Sequence, residues 1–239
     1  IVAVVGSSGS GKSLLAHAIM GILPENSKTK GSIKYYNDEL NEKYLRKVRG
    51  KDIAFIPQSV DFLDPLMKVG KQVVGINGNK ERQKEVFKKY NLDDKVAEMY
   101  PFQLSGGMAR RVLIATAVMN EAKLIIADEP TPGLNLELAM ETLNNFREIA
   151  DSGCGVLLIT HDVDLALNVA DRIAVFYSGT IVEIAQVEDF IKGKDALRHP
   201  YSKAFIDALP QNKFKELPGY QPYAGNLPKG CLFRDRCSL

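Results

Sequence analysis

One octapeptide constrains the fold more than any other stretch: Gly6-Ser7-Ser8-Gly9-Ser10-Gly11-Lys12-Ser13. It follows an apolar run at 1–5 and opens a helix-like segment, Lys12 to Gly21, in which Leu15, Ala18, Ile19 and Ile22 fall on one side. The spacing is G-x-x-x-x-G-K-[ST] between a strand and a helix. Glycines let the backbone wrap closely around an anion. Successive N–H groups and the helix N-terminus supply positive potential, Lys12 adds a mobile cation, and the Ser13 hydroxyl is a ligand for Mg2+. Such a loop stands on the end of a buried strand, which predicts a layered α/β fold.

The wider pattern agrees. Apolar runs at 1–5, 53–56, 124–127, 156–159 and 173–176 lack the alternation of half-exposed strands, which predicts a mostly parallel sheet covered on both faces. Leu136, Ala139, Met140, Leu143 and Ala150 recur at helical spacing behind Asn135, a good cap. Residues 60–120 differ, with helix-like stretches at Lys80 to Tyr90 and Gly106 to Met119. They read as a helical insertion between two halves of a core, 1–59 and 121–195. The strand-like Ser32 to Tyr36 predicts a small antiparallel piece near 31–36. An appendage spans 196–239: a short helix, Tyr201 to Leu209, then prolines at 210, 218, 222 and 228 that predict an extended, weakly packed tail.

Composition narrows the function classes. The 239 residues are 45% hydrophobic and 25% charged, as in globular domains. A net charge of +2 gives no field that would recruit nucleic acid. No apolar run approaches the ~20 residues of a membrane span. With no secretory signal and three sparsely spaced cysteines, a cytoplasmic setting is expected. The first residue already lies in a strand-like run, so the chain is expected to begin inside the fold.

Other segments deliver polar groups after apolar runs. Asp128 and Glu129 follow 124–127, a placement that suits Mg2+ held through water by Asp128 and a water polarised by Glu129. His161 follows 156–159 and suits an outer phosphate; Gln58 follows 53–57 and suits Mg2+ and water. Leu104-Ser105-Gly106-Gly107-Met108 forms a second helix start with exposed N–H groups. Two phosphate-binding helix ends thus accompany only one lysine and one carboxylate pair.

In this order the motifs resemble the ATP-binding subunits of ABC transporters, along essentially the whole chain. The resemblance implies a P-loop NTPase (RecA-like) core with a partial antiparallel β subdomain, a helical subdomain and a C-terminal tail. It makes Gly6 to Ser13 the phosphate loop, Gln58 the Q-loop glutamine and Leu104 to Met108 the signature. Asp128 and Glu129 become the Walker B pair, and His161 the switch histidine. It implies ATP and Mg2+, and two such subunits packed head to tail. Each ATP is then clamped between one phosphate loop and the partner's Ser105, Gly106 and Gly107. The implied partners are a second ABC ATPase, the same chain or a related one, two transmembrane permease subunits and, indirectly, an extracytoplasmic substrate-binding protein, with no nucleic acid. The implied location is peripheral, on the cytoplasmic face of the membrane.

Leu63-Asp64-Pro65-Leu66-Met67, His199-Pro200-Tyr201-Ser202-Lys203, Leu217-Pro218-Gly219 and the segment 227–237 resemble the oligopeptide, dipeptide and nickel importer branch. The implied cargo is a peptide or a nickel-type chelate. Two departures stand out. Asn135 replaces the aspartate usual after Gly133-Leu134, which is expected to weaken coupling between paired sites or to be tolerated. The aromatic that stacks on adenine in this family would precede residue 1. Some members of the branch hold an iron–sulfur cluster in a longer tail; Cys231 and Cys237 supply only two thiolates, short of the usual four, and are expected to be free or weakly paired. Cys154 reads as a small packed residue. Two other classes are weighed: a soluble ABC-type ATPase of DNA repair or translation, and an ATP-binding regulatory module with weak turnover. Against the first, about ninety residues separate loop and signature without sustained heptads.

Overall fold

The computed structural model describes residues 1–75, 78–209, 212–223 and 225–239. Pro210, one of the expected tail prolines, lies outside them. The chain opens with β1 (Val2–Val5) and α1 (Lys12–Met20), then β2 (Lys34–Tyr35), β3 (Asp38–Glu39), α2 (Glu42–Val48) and β4 (Ile53–Ile56). A helical stretch follows: α3 (Val69–Val74), α4 (Lys80–Lys89) and α5 (Gly106–Val118), with 3-10 turns at Val60–Phe62, Asp94–Glu98 and Pro101–Gln103. Then come β5 (Leu124–Asp128), α6 (Leu136–Asp151), β6 (Gly155–Thr160), α7 (Val163–Val169), β7 (Arg172–Tyr177), β8 (Thr180–Gln186), α8 (Val187–Lys192) and α9 (Pro200–Asp207). Among the described residues, no helix is long and apolar enough to cross a membrane. The chain divides into two compact units, Ile1–Leu15 with Leu158–Leu239, and Ala16–Leu157.

In the first unit β1 runs parallel to β7, with Val2 opposite Arg172 and Val5 opposite Val175. Ala3, Val5, Ile173, Val175 and Tyr177 are fully buried, as expected of unalternating runs in a covered parallel pair. Ser178 and Gly179 both have positive φ, 46° and 85°, the geometry that closes a two-residue hairpin. They turn β7 into β8, which runs antiparallel. Sequence reading does not find β8, because Ile181 and Ile184 are exposed and Glu183 interrupts the apolar pattern.

The tail corrects an expectation. It is extended but not weakly packed. Phe233 is 2% exposed, with its ring 5.4 Å from each of Tyr177 and Tyr201. Arg236 donates from Nε to Pro218 O (2.8 Å), from Nη2 to Leu217 O (3.0 Å) and from Nη1 to the Tyr177 hydroxyl (3.3 Å). One aromatic and one guanidinium thus hold backbone that has no regular ladder of its own.

In the second unit β4 runs parallel to β5, from Ile53 opposite Leu124 to Ile56 opposite Ala127. β2 and β3 form the expected small antiparallel pair, shifted toward Asp38–Glu39 and turned at Tyr36, whose φ is 53°. The α1 face differs from expectation. Ala16 and Met20, four residues apart, are buried, whereas Leu15, Ala18, Ile19 and Ile22 are half-buried. The His17 ring meets Phe55 edge-on at 5.9 Å, fixing that rotation. In α6 the buried stripe is Ala139, Leu143 and Phe146, with Leu136 73% exposed.

Candidate functional site

The first unit holds the glycine-rich loop Gly6 to Ser13. A Cβ on Gly6 would lie 2.2 Å from Phe176 O, so the loop can leave β1 on this path only with glycine there. Gly9 and Gly11 have φ of 75° and 100°, a region that resists side chains. The loop is tied from Ser10 N to Ser7 O (3.3 Å), and Gly179 N donates to Ser10 O (2.8 Å). Lys12, only 6% exposed, donates from Nζ to Gly6 O (2.9 Å) and Ser7 O (3.0 Å). Its ammonium therefore sits over the hollow of the loop. The Ser10 hydroxyl is buried without a hydrogen-bond partner among the described residues. An anion that accepts from it would satisfy an otherwise costly group. Ser13 lies one residue into α1, half-buried at its positive end.

His161 follows β6 and is exposed. Its neighbours are fixed: Asp162 N donates to Thr160 Oγ1 (3.0 Å), and Asp162 Oδ1 accepts from Leu165 N (3.0 Å), capping α7.

The second unit holds Asp128, Glu129, Gln58 and the segment Leu104 to Met108. β5 delivers Asp128 (1% exposed) and Glu129 (7% exposed). Glu129 has φ 49°, a conformation that costs a non-glycine residue about 1–3 kcal/mol and that clusters at functional sites. Gln58 follows β4 with its side chain exposed. Ser105 caps α5, its Oγ accepting from Met108 N (3.3 Å). A Cβ on Gly106 would meet nothing within 4 Å, and one on Gly107 would make only ordinary contacts with Leu134 and Gly133. This chain's own packing therefore does not require the two signature glycines. Asn135 caps α6, its Oδ1 accepting from Leu138 N (2.9 Å), so the amide does locally what an aspartate would.

Sequence reading misses Arg110. It is 7% exposed on α5, donating from Nη1 to Pro57 O (2.9 Å) and from Nη2 to Gln58 O (2.6 Å). Burial lowers its pKa, and the charges of Asp128 and Glu129 oppose that shift. One guanidinium thus joins the signature helix to the backbone of the Gln58 segment and to the field of the carboxylates. The available signal was a charge in register with the buried apolar positions Leu113, Ile114 and Ala117. Arg110→Ala strips the donor from these carbonyls and is expected to lose about 2–4 kcal/mol of stability. Urea titration of the variant beside the parent checks this; coincident midpoints would contradict it.

The cysteines are free thiols. Cys231 Sγ lies 3.8 Å from His199 Nε2. Among the described residues, no three His, Cys, Asp or Glu side chains are grouped to hold a metal ion. Cys154 is half-buried, and burial pushes its thiol pKa up.

The ABC transporter family pattern matches residues 1–132, and the pattern for the oligopeptide/dipeptide transporter C-terminal region matches 182–239. The chain is 35% identical to the oligopeptide transport ATP-binding protein OppD of Bacillus subtilis, covering 99% of this chain and 72% of that protein. It is 33% identical to the protein of the same name from Mycobacterium tuberculosis, covering 100% of this chain but only 42% of that longer protein. Among solved structures it resembles the dimeric structure of MJ0796, a bacterial ABC transporter cassette. There the TM-score is 0.70 and the identity 28%, over 78% of this chain and 85% of that one.

Proposed function

The chain belongs to the ABC transporter family, and from that premise we propose that it is the ATP-hydrolysing subunit of an importer for oligopeptides or dipeptides. The observation that carries the reading is a cradle lined by obligatory glycine, at Gly6 against Phe176, in a chain whose last quarter carries the oligopeptide/dipeptide pattern. Within it, 1–59 and 121–195 act as the nucleotide-binding core, 60–120 as the helical subdomain and 196–239 as the appendage.

The loop fits a triphosphate. Gly6, Ser7, Ser8, Gly9, Ser10 and Gly11 present backbone around the hollow under Lys12, and the buried Ser10 hydroxyl lacks a partner that a phosphate oxygen provides. Ser13, Asp128 and Gln58 would each offer an oxygen to Mg2+, which would supply charge neutralisation for the transferred phosphoryl group. Glu129 accepts the proton of the attacking water, a role worth ~10²–10⁴ in rate. His161 donates to the outer phosphate, and Gln58 orients the water and relays the state of the site to the helical subdomain.

Ser105, Gly106 and Gly107 serve the nucleotide of a second ATPase subunit, identical or related, which accounts for glycines that this chain's own packing leaves open. Two permease subunits and, beyond them, an extracytoplasmic binding protein complete the transporter, placing this chain on the cytoplasmic face. Cys231 and Cys237 supply two thiolates, short of the four that an iron–sulfur cluster takes, so a cluster would need further ligands from a longer chain. No reaction step runs through one. The C-terminal pattern also favours peptide import over a soluble role in DNA repair or translation.

The test is uptake in cells lacking this subunit. Labelled di- and oligopeptide import is expected to fall and return on complementation, while uptake of nickel chelates holds. Loss of nickel uptake with peptide import intact would contradict the cargo assigned.

A further inference from the structure

The described tail returns to the phosphate loop. Gln221 Nε2 donates to the Ser7 hydroxyl, and Tyr201, whose phenol is influenced by the backbone and side chain of Ser7, lines the same cavity as Ser7 and Gln221. One residue of the loop, the first after Gly6, is thus gripped by α9 and by the tail together. Tyr201 is 2% exposed, and burial raises its phenol pKa, so it stays neutral at physiological pH.

Both gripping residues are themselves fixed. Tyr201 stacks 4.4 Å from Tyr177, the fully buried last residue of β7, and 5.4 Å from Phe233. Gln221 lies between backbone clamped on one side by Arg236, through Leu217 O and Pro218 O, and on the other by Ser178 Oγ, which donates to Pro222 O (3.4 Å). The same β7–β8 turn holds the loop from beneath, through Gly179 N to Ser10 O. The loop therefore has two supports, the turn and the appendage. Ser7 O, a carbonyl that accepts from Lys12 Nζ, belongs to the gripped residue. Any loosening at Ser7 is passed directly to the cation that meets phosphate.

We propose that the C-terminal appendage braces the phosphate loop, with Gln221 and Tyr201 as positioning residues that act on bound nucleotide through Ser7. The proposal rests on Gly6 to Ser13 being the triphosphate site. It gives the appendage a part in nucleotide affinity, separate from any metal chemistry of its cysteines. The effect falls equally on the ground and transition states, because the brace shapes the cradle before chemistry and makes no contact that develops only in the transition state. It therefore appears in KM for ATP and not in kcat.

The experiment uses the whole chain with Gln221→Ala and Tyr201→Phe, the second keeping the ring stack while removing the hydroxyl. Titration with a fluorescent ATP analogue is expected to show binding weakened about two- to tenfold in each, the range of a single hydrogen bond. KM for ATP should rise by a similar factor at near-parental kcat. In a Ser7→Ala background Gln221→Ala should add nothing, a coupling that a general loss of packing would not produce. If both variants bind ATP like the parent while Lys12→Ala loses it, the brace is wrong and the phosphate site stands. An additive loss on top of Ser7→Ala overturns the brace equally. Unaltered binding in Lys12→Ala removes the phosphate-site reading and the brace with it.

Discussion

Exchanging Glu129 for glutamine is expected to slow ATP turnover on the order of 10²–10⁴-fold while nucleotide stays bound. The side chain is 7% exposed at the end of β5, with φ 49°. Glutamine has the same size and meets the same backbone strain, so the fold carries over. What disappears is the proton acceptor. The lost carboxylate charge also lessens repulsion of a bound triphosphate, so affinity holds or rises. Phosphate release at saturating ATP, read beside retained nucleotide, measures both effects. Near-parental turnover would take the base role away from Glu129.

Lys12→Ala is expected to weaken ATP binding roughly a hundredfold, about 3 kcal/mol, the scale of losing charge-assisted hydrogen bonds to phosphate. Two effects combine. The triphosphate loses its mobile cation, and Gly6 O and Ser7 O lose the ammonium that ties the loop to α1. Equilibrium titration with a fluorescent ATP analogue gives the affinity, and thermal unfolding separates it from loss of fold. Affinity equal to the parent's in a folded variant would contradict the cradle.

Much of this was legible because the chemistry is local. A phosphate loop needs glycine at fixed offsets, and Gly6, Gly9 and Gly11 stand where a side chain would clash or strain the backbone. Unalternating runs such as 53–56 and 173–176 name buried strands directly. Helix caps are equally local, and both Ser105 and Asn135 cap as their spacing implies. What stayed hidden depends on partners distant in sequence. Arg110 is one such case, because the carbonyls that accept from it, those of Pro57 and Gln58, lie over fifty residues away. The α1 face was misread because Leu15, Ala18 and Ile19 form as plausible a stripe as Ala16 and Met20, and only tertiary neighbours such as Phe55 decide between them. The tail looked loose because proline and glycine density reports lack of ladder, not lack of anchors. Phe233 and Arg236 anchor it through single side chains.

The central claim is that each catalytic pocket is shared, one copy's Lys12 loop facing the partner's Ser105, Gly106 and Gly107 across a triphosphate. Light scattering of the Glu129→Gln protein with ATP and Mg2+ tests it most directly, run beside the same protein carrying Ser105→Arg. A doubling of mass on adding ATP is expected in the first, alone or with the related subunit supplied, and a monomer that still binds ATP in the second. A dimer that forms equally well with arginine at 105 would contradict it.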